Sequence, residues 1–132
     1  MSRRILVTGS SRGIGKAIAL QLAQAGFDVT VHARSRQQEA EQVVEEIRAL
    51  GQASHALLFD VNEREKVLQL LEQDVAEHGA FYGVVLNAGL TRDAAFPALT
   101  DSDWDEVVST SLNGFYNVLK PLMMPMIRLK KG

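Results

Sequence analysis

The fold is decided by the stretch Ile5-Leu6-Val7-Thr8-Gly9-Ser10-Ser11-Arg12-Gly13-Ile14-Gly15-Lys16-Ala17-Ile18-Ala19. Apolar β-formers lead through a glycine-rich turn into small and branched apolar residues at helical spacing, a pattern typical of a strand, a tight turn and a helix. The free N–H groups of a first helical turn and the helix dipole favour a bound anion. We therefore predict a pyrophosphate site, in which Gly9 ends the strand, Gly13 lets a phosphate approach the backbone and Gly15 lets the helix pack on the strand.

The glycine spacing in this turn is Gly-x-x-x-Gly-x-Gly. It differs from the commoner Gly-x-Gly-x-x-Gly pattern and lacks the Gly-Lys-Ser/Thr ending of a P-loop. Glycine also marks plain turns, so a tight turn without a ligand is the alternative. The strand–turn–helix context favours nucleotide binding.

The chain beyond this turn continues to alternate strands and helices. Short apolar runs predict strands at Ile5–Val7, Val29–His32, Ala56–Phe59 and Val84–Leu86. Helical periodicity predicts helices at Lys16–Ala25, at Arg36–Leu50, after Asn62 up to His78, from Asp101, and from Leu112 toward Arg128 with a kink at Pro121 and Pro125. Asn62 and Glu65 predict a capping box. The alternation predicts an α/β fold with a doubly wound parallel sheet, whose ligand lies at the carboxyl ends of the strands.

Composition excludes several classes of protein. The chain has 132 residues, 46% hydrophobic and 23% charged, which suits one globular domain. A net charge of −2 argues against a nucleic-acid partner, and the absence of cysteine excludes disulfides and Cys-based zinc sites and fits a reducing cytoplasm. The apolar run before Thr8 is too short for a signal peptide, and no window is long enough for a membrane span.

Two motifs carry a family resemblance. The run Thr8-Gly9-Ser10-Ser11-Arg12-Gly13-Ile14-Gly15 resembles the cofactor signature of the short-chain dehydrogenases/reductases, and Asn87-Ala88-Gly89 resembles their second marker. The longer run Asn87-Ala88-Gly89-Leu90-Thr91-Arg92-Asp93 is similar to the branch that contains the 3-oxoacyl-[acyl-carrier-protein] reductases. The resemblance implies a Rossmann-type fold, of which residues 1–132 form the first four strands and their helices. Members of the family are much longer, so we expect the domain to continue beyond this chain.

The resemblance also implies an activity and partners. It implies NADPH-dependent reduction of a β-keto group on acyl carrier protein, with a homotetramer that uses the helix near Phe115 to Met126. The family's catalytic Ser and Tyr-x-x-x-Lys are expected after residue 132, so we predict no catalytic residue here. Arg128, Lys130 and Lys131 are candidates for docking acyl carrier protein, although cations also suit any helix C-terminus. The alternatives are a reductase of another ketone or alcohol, and a non-catalytic dinucleotide-binding module or subunit.

The end of the second predicted strand indicates which dinucleotide is bound. NAD enzymes usually place Asp or Glu there to bind the ribose hydroxyls. This chain has Arg34 and Ser35 instead, and with Arg12 they predict a site for the 2′-phosphate of NADP(H). A solvated basic loop is the alternative.

Further cofactor contacts follow from the resemblance at later strand ends. It implies that Asp60 contacts adenine, with the Val61 backbone beside it; the alternative is that Asp60 and Asn62 only cap the next helix. The triplet after the fourth strand is either a cofactor contact or a plain turn. The predicted cofactor-binding residues are Gly9, Ser11, Arg12, Gly13, Ile14, Gly15, Arg34, Ser35, Asp60, Val61, Asn87, Ala88 and Gly89.

The chain departs from the family pattern at two positions. Ser111 stands where the family usually has Asn, and Leu86 where many relatives have a second Asn. In the family, the Asn at the position of Ser111 helps to position the catalytic Lys through a water. Serine keeps a hydroxyl but loses the paired donor and acceptor of the amide. The substitution therefore puts the proton relay in question.

Two further patterns are not interpreted as sites. Tyr116 and Lys120 match Tyr-x-x-x-Lys on one helical face, but no serine precedes them at the end of a strand, so we predict a packing or interface role. His32, His55 and His78 lack the spacing of metal ligands. We predict that these histidines are surface or packing residues and that the chain has no metal site.

Overall fold

A computed structural model describes residues 3–87 and 100–131, with only the backbone described at 103–112 and 129–131. The four strands are β1 (Arg4–Val7), β2 (Asp28–Ala33), β3 (Ser54–Leu58) and β4 (Gly83–Val85). The four helices are α1 (Gly13–Gln24), α2 (Gln37–Ala49), α3 (Arg64–His78) and α4 (Asp101–Lys131). No helix in these described ranges is long and apolar enough to span a lipid bilayer.

The strands form one parallel sheet in the order β3-β2-β1-β4. The chain moves outward from β1 through β2 to β3 and then returns to the other side of β1 for β4. This reversal confirms the predicted doubly wound α/β fold. Connections leave β1 in opposite directions at this point, which opens a crevice at the carboxyl ends of β1 and β4.

Helices cover both faces of the sheet because the side chains of β1 alternate. Ile5 and Val7 pack with the buried side chains of α1 and α2, whereas Leu6 packs on the opposite face with those of α3 and α4. All three side chains are buried. A strand buried on both faces has the continuous apolar sequence that residues 5–7 show.

The elements shift by one to three residues from several predicted bounds, and the largest difference concerns the start of α1. This helix begins at Gly13 rather than at Lys16, so Gly13 and Gly15 belong to the first helical turn of α1. At its other end, Gly26 has the predicted capping role, with a φ of 98°. The Gly26 N–H bonds to the Ala23 carbonyl, and the Phe27 N–H bonds to the Leu22 carbonyl, as in a Schellman motif.

Two expectations about helix ends and breaks differ from the structure. The capping box is wrong, because α3 has Glu63 at its N-cap with no side-chain cap bond. The last helical segments form one helix, α4, that continues through Pro121 and Pro125. Val118 and Leu122 are fully buried against the side chains of α3, and this packing offsets the backbone bonds that the prolines cannot make.

Candidate cofactor site

The turn between β1 and α1 has the backbone geometry that a phosphate site needs. Gly9 and Gly13 have φ values of 64° and 62°, in the region that side chains disfavour. A Cβ added to Gly13 would meet nothing within 4 Å, so open space lies beside this part of the backbone. The first turn of α1 contains no acidic residue, whereas α2 and α3 carry Glu39 and Glu65 there. The positive end of the α1 dipole is therefore left for an external anion.

Gly15 is required by a close contact between α1 and the turn. A Cβ at this position would lie 2.1 Å from the Gly9 carbonyl oxygen and 2.7 Å from Asn87 Nδ2. Both distances are shorter than any van der Waals contact. The predicted packing role of Gly15 is therefore found, with the turn and the end of β4 as its partners.

Hydrogen bonds join the ends of β1 and β4 at the crevice. The Thr8 N–H donates to the Val85 carbonyl at 3.0 Å, and the Asn87 N–H donates to Thr8 Oγ1 at 2.7 Å. The Asn87 side-chain amide lies 3.3 Å from the Gly9 carbonyl oxygen. Asn87 is thus fixed against the start of the glycine turn, where β1 ends.

An open cavity of about 530 Å³, which we call the glycine-turn pocket, lies over these strand ends. Its lining consists of the turn, the end of β2 and the end of β4: Gly9, Ser11, Arg12, Gly13, His32, Ala33, Arg34, Ser35, Arg36 and Asn87. Seven predicted cofactor residues are in this lining. Three guanidinium groups line it as well, so the pocket is suited to a ligand with several phosphates.

Arg34 and Asp60 form an ion pair across the ends of β2 and β3. Arg34 Nη2 lies 3.4 Å from Asp60 Oδ2, and the side chain of Arg34 is 75% exposed. An exposed pair of this kind contributes at most about 1 kcal/mol, so a phosphate can displace the carboxylate from the guanidinium. Asp60 Oδ1 also accepts the Asn62 N–H at 3.0 Å, which organises the turn before α3.

The remaining predicted residues lie around the pocket rather than in its lining. Ile14 is 74% exposed on the first turn of α1. Val61 is buried in the core beneath α4, and its carbonyl accepts the Asn117 side-chain amide at 2.8 Å. Neither side chain lines the glycine-turn pocket, and their predicted cofactor contacts stay predictions.

Some predicted residues fall outside the described side chains. Ala88 and Gly89 lie outside the described residues, as do the residues Leu90 to Asp93 that complete the run similar to the reductase branch. The side chains of Ser111, Lys130 and Lys131 are likewise not described. Arg128, the first of the three predicted docking cations, is exposed.

His32 is a residue of the site whose role the sequence did not indicate. It is 2% exposed, and its ring bridges two segments: Nδ1 accepts the Gly9 N–H at 2.9 Å, and Nε2 lies 2.8 Å from the Phe59 carbonyl oxygen. These partners require the neutral ring with its proton on Nε2. The sequence feature that could have indicated this role is a polar residue near the end of an apolar strand that lies next to β1 in the sheet.

Ser10 completes the support of the turn. Its hydroxyl donates to the Val7 carbonyl at 2.7 Å and accepts the His32 N–H at 3.0 Å. The Ser10 side chain is fully buried.

Burial disfavours the charged form of His32 and lowers the pKa of this imidazole, although the Phe59 carbonyl and the charge of Asp60 oppose the effect.

The Tyr116–Lys120 pair has a hydrogen bond but a different setting. Lys120 Nζ lies 2.8 Å from the Tyr116 hydroxyl, and this hydrogen bond lowers the pKa of the exposed phenol. The pair lines a small apolar cavity on the surface between α3 and α4, together with Arg64 and Pro121. Neither residue lines the glycine-turn pocket.

We expect Tyr116→Phe to leave kcat of the complete protein within a few-fold of the unchanged enzyme, because the phenol is not beside the glycine-turn pocket. Steady-state kinetics with NADPH tests this, with circular dichroism to confirm an unchanged fold. Lys120→Met, which removes the other partner of the hydrogen bond, is the matched control. A loss of kcat of about a thousandfold with either variant, at unchanged NADPH affinity, would identify the pair as catalytic.

Comparisons with known proteins agree with this geometry. A family model described as short chain dehydrogenase matches residues 3–132. The chain belongs to the short-chain dehydrogenase family. It is 66% identical, over its full length, to a protein named 3-oxoacyl-[acyl-carrier-protein] reductase FabG from Aggregatibacter actinomycetemcomitans, of which it covers 54%. The chain thus spans about half the length of the curated relatives it matches.

Two solved structures of the family resemble the chain closely. One is an alcohol dehydrogenase from Thermococcus sibiricus complexed with 5-hydroxy-NADP, with a TM-score of 0.82 and 29% identity over 97% of this chain and 55% of that one. The other is a gluconate 5-dehydrogenase from Burkholderia cenocepacia in complex with NADP and tartrate, with a TM-score of 0.82 and 33% identity over 98% of this chain and 51% of that one.

Proposed function

We propose that the complete protein is an NADPH-dependent reductase that converts the β-keto group of a 3-oxoacyl-[acyl-carrier-protein] to a hydroxyl group. The observation that carries the cofactor assignment is the glycine-turn pocket, where Arg12, Arg34 and Ser35 meet and the end of β2 has no acid. The reaction is supported by the 66% identity to a reductase of that name.

The residues of the pocket fit a phosphorylated dinucleotide. The open space beside Gly13 and the acid-free start of α1 suit the pyrophosphate. Arg34 and Ser35 offer charged and neutral donors to a 2′-phosphate, in place of the carboxylate that would repel it. When bound, the dinucleotide supplies the hydride. Within residues 1–132 the role of the chain is to bind and orient it.

Further parts of the proposal concern the whole protein. Residues 1–132 would form the cofactor-binding part of a larger single domain, whose later residues supply the Ser and the Tyr-x-x-x-Lys of proton transfer. The protein would be a cytoplasmic homotetramer of fatty acid synthesis. Arg128, Lys130 and Lys131 would attract the acidic acyl carrier protein. These statements rest on the family resemblance.

We expect Arg34→Asp to shift the preference of the complete protein from NADPH toward NADH. The change removes a charge-assisted bond to the 2′-phosphate, which contributes about 1.5–3 kcal/mol, and adds a carboxylate that binds the ribose hydroxyls of NADH. The ratio of kcat/KM for the two cofactors should fall by at least about tenfold. Equal use of both cofactors by the unchanged protein would contradict the NADPH assignment.

Arg36→Asp is the matched control for this experiment. Arg36 also lines the pocket, but its guanidinium already pairs with Glu39 at 3.1 Å on the surface of α2. We expect the cofactor ratio to change by less than about fivefold, the equivalent of one exposed pair. A similar shift in both variants would mean that the general field of the pocket, rather than a contact from Arg34, sets the preference.

The substrate needs a separate test, because similar solved structures include an alcohol dehydrogenase and a gluconate 5-dehydrogenase. A reductase of small ketones is therefore the second candidate. NADPH oxidation by the complete protein should be measured with a 3-oxoacyl-[acyl-carrier-protein], with the corresponding free thioester and with a small hydroxyketone. We expect kcat/KM to be highest for the carrier-bound substrate. A higher value for the hydroxyketone would reject the proposed substrate and leave the NADPH assignment intact.

A further inference from the structure

A second group of polar side chains lies at the amino ends of the strands, opposite the glycine-turn pocket. His55 lies near the start of β3, and Asp74 and His78 lie in the last turns of α3. One ring nitrogen of each histidine and one carboxylate oxygen of Asp74 all lie within 4.8 Å of one another. The two imidazole rings stack with their centroids 4.3 Å apart. The fold thus brings His55 of β3 to a carboxylate and a second histidine that lie one helical turn apart on α3.

Asp74 is oriented within this group by an arginine. It is 4% exposed, its Oδ2 lies 2.6 Å from Arg4 Nη1, and its Oδ1 lies 2.6 Å from His55 Nε2. Arg4 thus holds one oxygen of this buried side chain, and the other oxygen contacts His55.

We propose that His55, Asp74 and His78 bind a divalent transition cation of the zinc type, with water in the fourth position. Two imidazole nitrogens and one carboxylate oxygen are the donor set that Zn²⁺ accepts in sites with an open fourth position. Mg²⁺ and Ca²⁺ prefer sets made of oxygen alone. The three residues contain the nitrogen donors that select against those ions.

Only small movements are needed to admit the cation. Zinc–nitrogen and zinc–oxygen distances of about 2.0–2.2 Å require the His55 and Asp74 atoms to separate from hydrogen-bond contact to about 3.3 Å. His55 then carries its proton on Nδ1, which leaves the Nε2 lone pair for the metal. His78 stacks on His55, but its side chain is 45% exposed, so its ring has room on the solvent side to turn toward the other two ligands.

The surrounding charges both oppose and favour a cation. The guanidinium of Arg4 repels it, but Arg4 also holds Asp74 in place, as residues behind a metal ligand commonly do. Glu77 Oε2 lies 3.7 Å from His78 Nε2 and supplies a second negative charge. The negative end of the α3 dipole adds to this field. A cavity of about 110 Å³, lined by both histidines, leaves room for a metal-bound water.

The proposal predicts that Zn²⁺ links β3 to α3 and stabilises the fold without acting at the glycine-turn pocket. The complete protein, stripped with a chelator, should be titrated with Co²⁺ while visible absorption is recorded, because tetrahedral Co²⁺ absorbs strongly. Zn²⁺ should then displace Co²⁺, and Zn²⁺ should raise the thermal midpoint of the stripped protein. NADPH affinity should stay unchanged.

His78→Ala separates this site from any other metal site in the complete protein, since the removed side chain is exposed and circular dichroism can confirm an unchanged fold. We expect the affinity for Zn²⁺ to fall more than about tenfold and one equivalent of tetrahedral Co²⁺ to disappear. Glu65→Ala, at the other end of α3, is the control and should bind as the unchanged protein does. Equal stoichiometry and affinity in the unchanged protein and His78→Ala would overturn the proposal, as would the absence of Co²⁺ binding by the unchanged protein.

Discussion

Replacing Gly15 with alanine should lower the affinity of the complete protein for NADPH by at least about a hundredfold. The new methyl group would lie 2.1 Å from the Gly9 carbonyl oxygen and 2.7 Å from Asn87 Nδ2. Since one neighbour is backbone, the overlap is relieved only if the start of α1 moves away from the turn. That movement misplaces the N–H groups at the start of α1 on which the proposed pyrophosphate site depends. Isothermal titration with NADPH measures the loss.

The control for this prediction is Gly51→Ala, at the end of α2. Unlike Gly15, Gly51 has a positive φ, 91°, and a Cβ there would meet nothing within 4 Å. We expect it to reduce the free energy of unfolding by about 1 kcal/mol through backbone strain and to leave NADPH affinity unchanged. If Gly15→Ala bound NADPH as well as this control does, the close packing of α1 on the turn would not matter for the cofactor.

The part of this site that was predictable from sequence is the part that local patterns encode. The glycines of the turn, the absence of an acid after β2 and the alternation of strands and helices all lie within short windows. These patterns have separate physical causes. Gly9 adopts a positive φ, Arg34 carries a positive charge, and residues 5–7 are apolar because both faces of β1 are buried. The doubly wound sheet follows from them because parallel strands need crossover helices.

What sequence reasoning missed depends on contacts between distant segments. The distance between His55 and His78 follows from the register of β3 and the length of α3. Their spacing in the sequence therefore does not indicate that the two rings lie together. The continuation of α4 through Pro121 depends on buried packing of its neighbour Leu122 against α3. A proline in the sequence indicates only that a backbone hydrogen bond is lost, not that buried side chains nearby offset the loss. Tertiary packing decides such cases.

His32 is the clearest example, because the same contacts that sequence reasoning missed give it a large predicted effect. His32→Leu should reduce the free energy of unfolding by at least about 2 kcal/mol and weaken NADPH binding. It leaves the Gly9 N–H and the Phe59 carbonyl without the partners that His32 provides, and each buried unsatisfied group costs about 1–3 kcal/mol. Chemical denaturation and NADPH titration of the complete protein measure the two effects.

His32→Gln is the matched variant for this position, because an amide has both an acceptor and a donor but does not titrate. It should retain more stability than His32→Leu. Equal stability of His32→Leu and the unchanged protein would show that the ring fills space without its hydrogen bonds mattering.

The same residue should make stability depend on pH. Burial lowers the pKa of His32 below its ordinary 6.5, so the unfolded chain takes up this proton before the folded protein does. The contribution of the neutral ring is therefore complete above pH 6.5 and declines as the pH falls below that value, until the folded protein is protonated too.

Protonation of His32 in the folded protein would also weaken NADPH binding, because a protonated Nδ1 and the Gly9 N–H are both donors and cannot bond to each other. We expect the free energy of unfolding of the unchanged protein to fall as the pH drops below about 6.5, the value for an exposed histidine. The NADPH affinity should fall only at a lower pH, where the folded protein itself takes up the proton. In His32→Gln both should fall less. Identical pH profiles for the two proteins would mean that other groups titrate in this range and that the neutral imidazole does not control the turn.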